Sequence, residues 1–157
     1  MSTIKSKTQS FISPTGEGKS FEALAITWTF KALSEQTGGT LEAIELAFPP
    51  GGQLPPHLHR QFDEAIYVAE GELTVQVGDR TANMRAGSFA YIPRDTVHRV
   101  ENTGTSSAKI LLWETPAPGI DKMMEELDQL QLPPGPPDMD KLVPVLLKYD
   151  IELVGDS

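Results

Sequence analysis

Turn-forming residues divide most of this chain into segments that are too short for ordinary helices. Between residues 49 and 106, clusters of glycine, proline and asparagine recur at spacings of about ten residues, and the segments between them are rich in aliphatic and β-branched side chains. This pattern is typical of antiparallel sandwiches and barrels, which are built from short strands joined by tight turns. We therefore expect an all-β domain over residues 25–114, with no helix inside it.

Alternation of apolar and polar residues locates the strands of this domain. In segment 25–33, Ile26, Trp28 and Phe30 share one face, and segment 40–48 alternates in the same way. Such alternation predicts half-buried strands, and the short turn between these two segments predicts a hairpin. Prolines before His57 keep the chain extended there, because proline disfavours helix in the residue before it. Further strands are predicted over 64–69, 73–77, 80–84, 89–92, 97–102 and 108–114.

After residue 119 the sequence pattern changes from strand-like alternation to helical periodicity. In segment 120–130, Ile120, Met123, Met124 and Leu127 recur at helical spacing, which predicts an amphipathic helix packed on the barrel exterior or on a partner subunit.

A second helix is predicted over 139–149, with Asp138 as its cap, and 151–154 is expected to add an edge strand. The first twenty residues are polar and predict a partly mobile arm that can add another edge strand. We interpret residues 1–157 as one domain with three parts: an arm over 1–20, a β-barrel over 25–114 and a helical tail over 119–157.

Charge and composition exclude several classes of function. The 157 residues carry a formal net charge of −9, which repels phosphate backbones and anionic lipid, so we expect neither nucleic-acid binding nor membrane-surface binding. The sequence shows neither a signal-peptide pattern nor a membrane-length apolar run, so a cytoplasmic location is expected. With no cysteine, any transition metal must be bound by nitrogen and oxygen atoms.

All three histidines lie in two stretches that share the same turn punctuation. His57 and His59 point to one face of an extended segment, because alternate residues of a strand share a face. Glu64 begins the next strand, and His98 lies in the second stretch. Three imidazoles and a carboxylate suit one divalent transition metal ion, either Fe, Mn, Ni, Co, Zn or Cu. We predict that these four side chains converge on one such ion, although a His-x-His pair alone is a weak signal.

The spacing of these residues resembles the two motifs of the cupins. The first stretch reads Gly51-x5-His57-x-His59-x4-Glu64-x6-Gly71, and the second reads Gly87-x5-Pro93-x-Asp95-x2-His98-x3-Asn102, with Asp95 where the family pattern has glycine. Asp tolerates the left-handed backbone conformation that such a turn requires. The motifs cover residues 51–102, about a third of the chain.

The resemblance implies a jelly-roll barrel, or double-stranded β-helix, with a metal ion inside one end. It implies His57, His59, Glu64 and His98 as the metal ligands, and a structural role for Asn102. Many single-domain cupins are homodimers, so a homodimer is expected, with the N-terminal arm and the C-terminal helix as candidates for the contact.

Apolar residues around the ligands predict the substrate pocket: some share a face with Glu64 or His98 and others are candidates for the cavity mouth, although each taken singly is also explained as barrel core. Such a wall favours an uncharged or aromatic small molecule over a phosphorylated sugar. The predicted pocket residues are Trp28, Phe30, Phe48, Ile66, Val68 and Val100.

The leading functional hypothesis is a metal-dependent dioxygenase similar to the small quercetinase-like cupins, acting on an aromatic or enolic carbonyl compound. Glu64 is then either a ligand or the catalytic base. Isomerase or lyase chemistry would use the same site. The alternatives from other classes are a module that binds or senses a metal or small ligand without turnover, and a structural protein with a vestigial site.

Overall fold

Two antiparallel sheets form the body of the protein, as described by a computed structural model covering residues 8–155. The first sheet has the strand order β1-β2-β3-β10-β5-β8, and the second has the order β11-β4-β9-β6-β7. The strands are β1 Lys19–Ala23, β2 Ile26–Ala32, β3 Glu42–Phe48, β4 Gln53–Leu58, β5 Asp63–Glu70, β6 Glu72–Val77, β7 Arg80–Arg85, β8 Phe89–Ile92, β9 His98–Glu101, β10 Ala108–Thr115 and β11 Glu152–Leu153.

This architecture is the predicted all-β jelly roll, and every predicted strand between residues 25 and 114 is present. Within residues 8–155, strand pairing runs inside two separate sheets and does not pass around a closed barrel. The prediction of no helix in this region holds except for one turn of 3-10 helix at Ser34–Gln36.

The core fills the space between the sheets because apolar residues alternate along the central strands. Ile44, Leu46 and Phe48 of β3 are fully buried, and Ile110 and Leu112 of β10 pack beside them. Strands β3 and β10 therefore each turn one buried face to the interior and the other face outward, as the period of two requires.

Four turn residues of the motifs have a left-handed backbone. Gly51, Gly71 and Gly87 have φ values of 82°, 74° and 93°, and Asp95 has a φ of 65°. Asn102 has a structural role, since its Nδ2 donates to Phe48 O at 3.0 Å and to Ser106 O at 2.9 Å. These residues shape the ends of the sheets without entering the site.

An edge strand lies near each end of the described chain: β11 falls within the predicted 151–154, whereas β1 lies mostly after the arm predicted over 1–20. β1 pairs with β2 at one edge of the first sheet, and β11 pairs with β4 at one edge of the second. The part of the predicted arm over 1–7 lies outside the described residues.

Two helices follow β10: α1 Ile120–Gln129 and α2 Met139–Lys148. Ile120, Met123 and Met124 are buried against the chain's own core, so the apolar face of α1 is used within this chain. The carboxylate of Glu42 accepts hydrogen bonds from the first backbone N–H groups of α1, including Ile120 N at 3.0 Å. Asp138 caps α2 as predicted, accepting from Asp140 N at 3.1 Å. No helix within the described residues is long and apolar enough to cross a membrane.

Candidate metal centre

The fold brings the four predicted ligands together between the two sheets. β4 carries His57 and leads directly to His59, and β9 carries His98 opposite His57 in the second sheet. Glu64 comes from β5 of the first sheet. One ligand atom from each residue lies within 4.8 Å of all the others. Ligands on opposite sides of a common ion are about 4 Å apart, so the cluster is close to the size that one ion requires.

Each histidine is oriented by a hydrogen bond from Nδ1 to a backbone carbonyl. His57 Nδ1 donates to Pro55 O at 2.7 Å, His59 Nδ1 donates to Asp150 O at 2.8 Å, and His98 Nδ1 donates to Thr96 O at 2.9 Å. A carbonyl oxygen only accepts, so Nδ1 carries a proton and Nε2 is the ring nitrogen that can bind a metal ion. This is the arrangement that metal-binding histidines adopt.

The remaining side-chain nitrogen and oxygen atoms of the cluster lie close together but do not form hydrogen bonds with one another. Nε2 of His59, Nε2 of His98 and Oε2 of Glu64 are buried and lack a hydrogen-bond partner within the described residues. Oε2 of Glu64 lies 2.7 Å from His98 Nε2 and 3.4 Å from His59 Nε2, but these contacts lack hydrogen-bond directions. Buried polar atoms without partners are costly, so the donor set fits a bound cation.

The electrostatics of the cluster suit metal binding. Burial, together with the neighbouring His98 and His59, lowers the pKa of His57 to about 3, so its imidazole is neutral at physiological pH. Burial alone would raise the pKa of Glu64, but the imidazoles of His98 and His59 outweigh burial and hold the pKa of this carboxyl below its usual range. A neutral imidazole and an ionised carboxylate are the forms that bind a metal ion.

A cavity of about 200 Å³ opens onto this cluster. His57, His59 and Glu64 lie on its wall, and most other lining side chains are apolar. Helices α1 and α2 close its outer side with Met123, Met124, Leu127, Met139, Leu142 and Leu146. The C-terminal helices are thus part of the site, a role that the sequence did not indicate when it placed them on the outside of the barrel.

One of the six predicted pocket residues lines this cavity. Trp28 does so, whereas Phe30, Phe48, Ile66, Val68 and Val100 belong to the buried core and are not on the cavity wall. Alternation along a strand shows which side chains point inward, but it does not show how far along the strand the cavity lies. Five of the six residues are thus part of the barrel core, which was the alternative explanation for each of them.

Two acidic residues of the site were missed by sequence reasoning. Asp150 follows α2, and its carbonyl oxygen holds His59 across 91 positions of sequence. Glu114 lines the cavity, is 4% exposed, and has an Oε2 atom without a partner among the described residues. Burial, with the adjacent Glu64 and Glu42 carboxylates, raises the pKa of Glu114 well above its usual value. A signal for Glu114 was present, since it continues the inward face formed by Ile110 and Leu112 of β10.

Comparison with known proteins agrees with this geometry. The family model described as Cupin domain matches residues 44–114. An RmlC-like cupin from Shewanella frigidimarina superimposes with a TM-score of 0.61 at 19% identity, covering 69% of this chain and 93% of that chain. The chain therefore contains a cupin domain over residues 44–114. At this identity the superposition shows the fold alone.

Curated relatives match the cupin motifs over part of their length. Germin-like protein subfamily 2 member 2 of Arabidopsis thaliana is 40% identical over 78 residues, which is 46% of this chain and 35% of that protein. Polyketide synthase CurC of Streptomyces cyaneus is 34% identical over 67 residues, which is 43% of this chain and 44% of that protein. The matches span less than half the length of these relatives.

Proposed function

We propose that this cupin is a metal-dependent, dioxygenase-like enzyme that acts on a small aromatic or enolic carbonyl compound. The observation that carries the proposal is the apolar cavity of about 200 Å³ that ends on His57, His59 and Glu64. A cavity whose polar end is a metal site and whose walls are apolar suits a substrate with one oxygen-bearing edge and an apolar body.

Size and charge narrow the class of substrate. An apolar cavity of about 150 Å³ accepts benzene, so this cavity suits a single ring or a short diketone better than a three-ring flavonol. None of the cavity-lining residues in the described part of the chain is lysine or arginine. Apart from the metal ion, a phosphorylated sugar would therefore meet two carboxyl groups and no lysine or arginine among the described lining residues.

The likeness to a protein named polyketide synthase agrees with this class. Polyketides are built from 1,3-dicarbonyl units, and the enol of a 1,3-dicarbonyl compound offers two oxygen atoms on one edge. Such a compound is oxidised by O₂ without an external reductant when both oxygen atoms enter the product.

The bound metal would act as a Lewis acid and template for the reacting oxygen atoms. His57, His59, Glu64 and His98 would hold it. We assign Glu64 a second role as the base that accepts the proton of an enol or phenol, because its carboxylate stands at the inner end of the cavity. The helices α1 and α2 would exclude water from the far side.

Metal content and oxygen uptake test the proposal together. Protein purified without a histidine tag should contain one divalent transition metal ion per chain and consume O₂ with catechols or 1,3-diketones. Glu64→Gln should lose turnover, whereas Glu70→Gln, at the exposed end of the same strand, should keep it. A stoichiometric metal with no turnover in either assay would favour a binding or sensing module, and no metal at all would remove both functions.

The expected homodimer and cytoplasmic location stay predictions. Tyr67, Phe89 and Tyr91 are 41%, 61% and 56% exposed on the outer face of β5 and β8, and a cluster of exposed aromatic residues is common at protein interfaces. Sedimentation equilibrium tests the dimer, and cell fractionation tests the location.

A further inference from the structure

Glu114 is a buried polar group that the metal site does not use. Its carboxyl belongs to the wall of the apolar cavity, yet it is not one of the four residues that can ligate an ion. Its Oε2 atom is buried and has no hydrogen-bond partner within the described residues. Apart from the candidate ligand Glu64, Glu114 is the one acidic residue among the described residues that line the cavity.

The sheet places Glu114 beside the position of the ion. On β10 it lies directly opposite Glu64 of β5 on one side and Glu42 of β3 on the other. Neighbouring strands are about 4.8 Å apart, so the three carboxyl groups form a row across the inner face of the sheet. Glu64 is used by the metal cluster, and Glu42 accepts the N–H of Ile120 at 3.0 Å. Glu114 has neither kind of partner in the described structure.

Replacing such a group with an apolar one would ordinarily stabilise the fold, because an unpaired buried carboxyl loses its hydration without compensation. The other inward positions of β10 are apolar. A carboxyl in this row therefore points to a ligand that supplies the missing partner.

We propose that Glu114 is a positioning residue that accepts a hydrogen bond from a hydroxyl group of the bound molecule, and that the cavity thereby selects hydroxylated aromatic or enolic compounds over apolar ones of the same shape. A carboxyl group offers an oxygen acceptor whether or not it carries a proton. The selection therefore does not depend on the charge of Glu114.

The proposal deepens the function proposed above and rests on it for the place of the ligand next to the metal. In this arrangement, two oxygen atoms of the substrate bind to two different parts of the site. One oxygen atom would face the ion and Glu64, while an adjacent hydroxyl group would face Glu114. Compounds with two neighbouring oxygen atoms, such as catechols and enolised 1,3-diketones, meet this requirement.

Binding of a matched pair of probes tests the proposal without requiring turnover. Catechol and phenol have nearly the same shape and differ in the second hydroxyl group, the one that would face Glu114. Their affinities for the full-length, zinc-loaded protein are measured by titration calorimetry, with zinc chosen because it has no redox chemistry. Glu114→Leu should weaken catechol binding about tenfold, the effect of one lost hydrogen bond, and should leave phenol binding unchanged or improved.

Two control variants separate positioning from structure. Glu114→Gln retains a side-chain oxygen acceptor and should keep most of the preference for catechol over phenol. Glu45→Gln changes an outward-facing glutamate on β3 and should change neither affinity. The melting temperature of Glu114→Leu should equal or exceed that of the wild type, because an unpaired carboxyl has been removed from the interior.

Several results would overturn the proposal. Equal weakening of catechol and phenol, or an unchanged catechol preference in Glu114→Leu, would show that the second hydroxyl group does not bind there. A lowered melting temperature with loss of both probes would identify Glu114 as part of the framework. These outcomes are independent of oxygen consumption, so failure of the dioxygenase assay and failure of this inference are separately visible.

Discussion

Gly71 connects β5 to β6 at a point where the chain has no room for a side chain. Its φ is 74°, and a Cβ atom built there would lie 2.7 Å from Ser107 O and 2.9 Å from Ala108 Cα. Gly87 has a φ of 93° but would have no atom within 4 Å of its Cβ. A side chain at Gly87 would therefore introduce backbone strain alone, whereas a side chain at Gly71 would add steric overlap.

We predict that Gly87→Ala lowers the free energy of unfolding by about 1–2 kcal/mol, the cost of a left-handed residue with a Cβ. Gly71→Ala should cost about 1–3 kcal/mol more, because strand β10 must also move. Urea denaturation of both variants checks the order. Equal losses would show that the start of β10 moves freely away from Gly71.

Glu42 makes the stability of the fold depend on pH. Burial raises its pKa to about 7 even though it accepts hydrogen bonds from Ile120 and Gly119 at the start of α1. The folded state thus holds this proton up to a higher pH than the unfolded chain, in which the pKa is near 4.5. Stability from this group is complete below about pH 4.5 and falls as the pH rises through about 7.

Glu42→Gln should therefore flatten the decrease in unfolding free energy between about pH 5 and pH 8 in the metal-free protein. The difference from the wild type should reach at most about 3 kcal/mol. Denaturation at several pH values checks this, with the partly exposed Glu45→Gln as the control. A parallel curve for Glu42→Gln would mean that Glu42 titrates near its usual value in the fold.

At the scale of elements, the C-terminal segment has an unexpected role. The carboxylate of Asp150 accepts the backbone N–H groups of Arg60 at 2.9 Å and Gln61 at 2.7 Å, and its carbonyl accepts from His59 Nδ1. β11 then continues along β4. The segment thus holds both the loop after His59 and the imidazole ring itself.

We predict that Asp150→Gly weakens metal binding by about tenfold, the lower end of the effect of groups that orient a ligand from behind, because the loop after His59 loses its anchor while the backbone carbonyl that holds His59 remains. Glycine suits the left-handed backbone at this position, where φ is 64°, so the change mainly removes the carboxylate. Asp150→Asn keeps one oxygen acceptor and should retain most of the affinity. Competition with a chromophoric chelator measures both, and an unchanged affinity in Asp150→Gly would contradict the role.

Local sequence patterns predicted the strands and the candidate ligands, whereas contacts that depend on long-range packing were not predictable. Strands such as β2 and β3 follow from local alternation and turns, and the four ligands follow from the spacing of two motifs. The contact between His59 and Asp150 depends on where α2 packs, and no local pattern contains that information. The position of the cavity likewise depends on how α1 and α2 lie over the sheets, which is why Phe30 and Val68 were expected at a wall that lies elsewhere.

At the scale of the whole molecule, the ligand cluster joins the two sheets. Glu64 belongs to the first sheet, whereas His57 and His98 belong to the second. In the described structure, the unpartnered Oε2 of Glu64 and Nε2 of His98 face each other across the interior at 2.7 Å. An ion bound there would connect the sheets, and through His59 it would also connect the C-terminal segment.

Metal should therefore stabilise the fold as a unit. A ligand present at about 1,000 times its dissociation constant adds about 4 kcal/mol, which for a chain of this size raises the melting temperature by about 8–16 °C. We expect such a rise when zinc is added to chelator-treated wild-type protein, and no rise for His57→Ala. Glu70→Gln, which alters an exposed carboxylate outside the cluster, should respond like the wild type. A rise of equal size in His57→Ala would place the stabilising ion somewhere other than between the sheets.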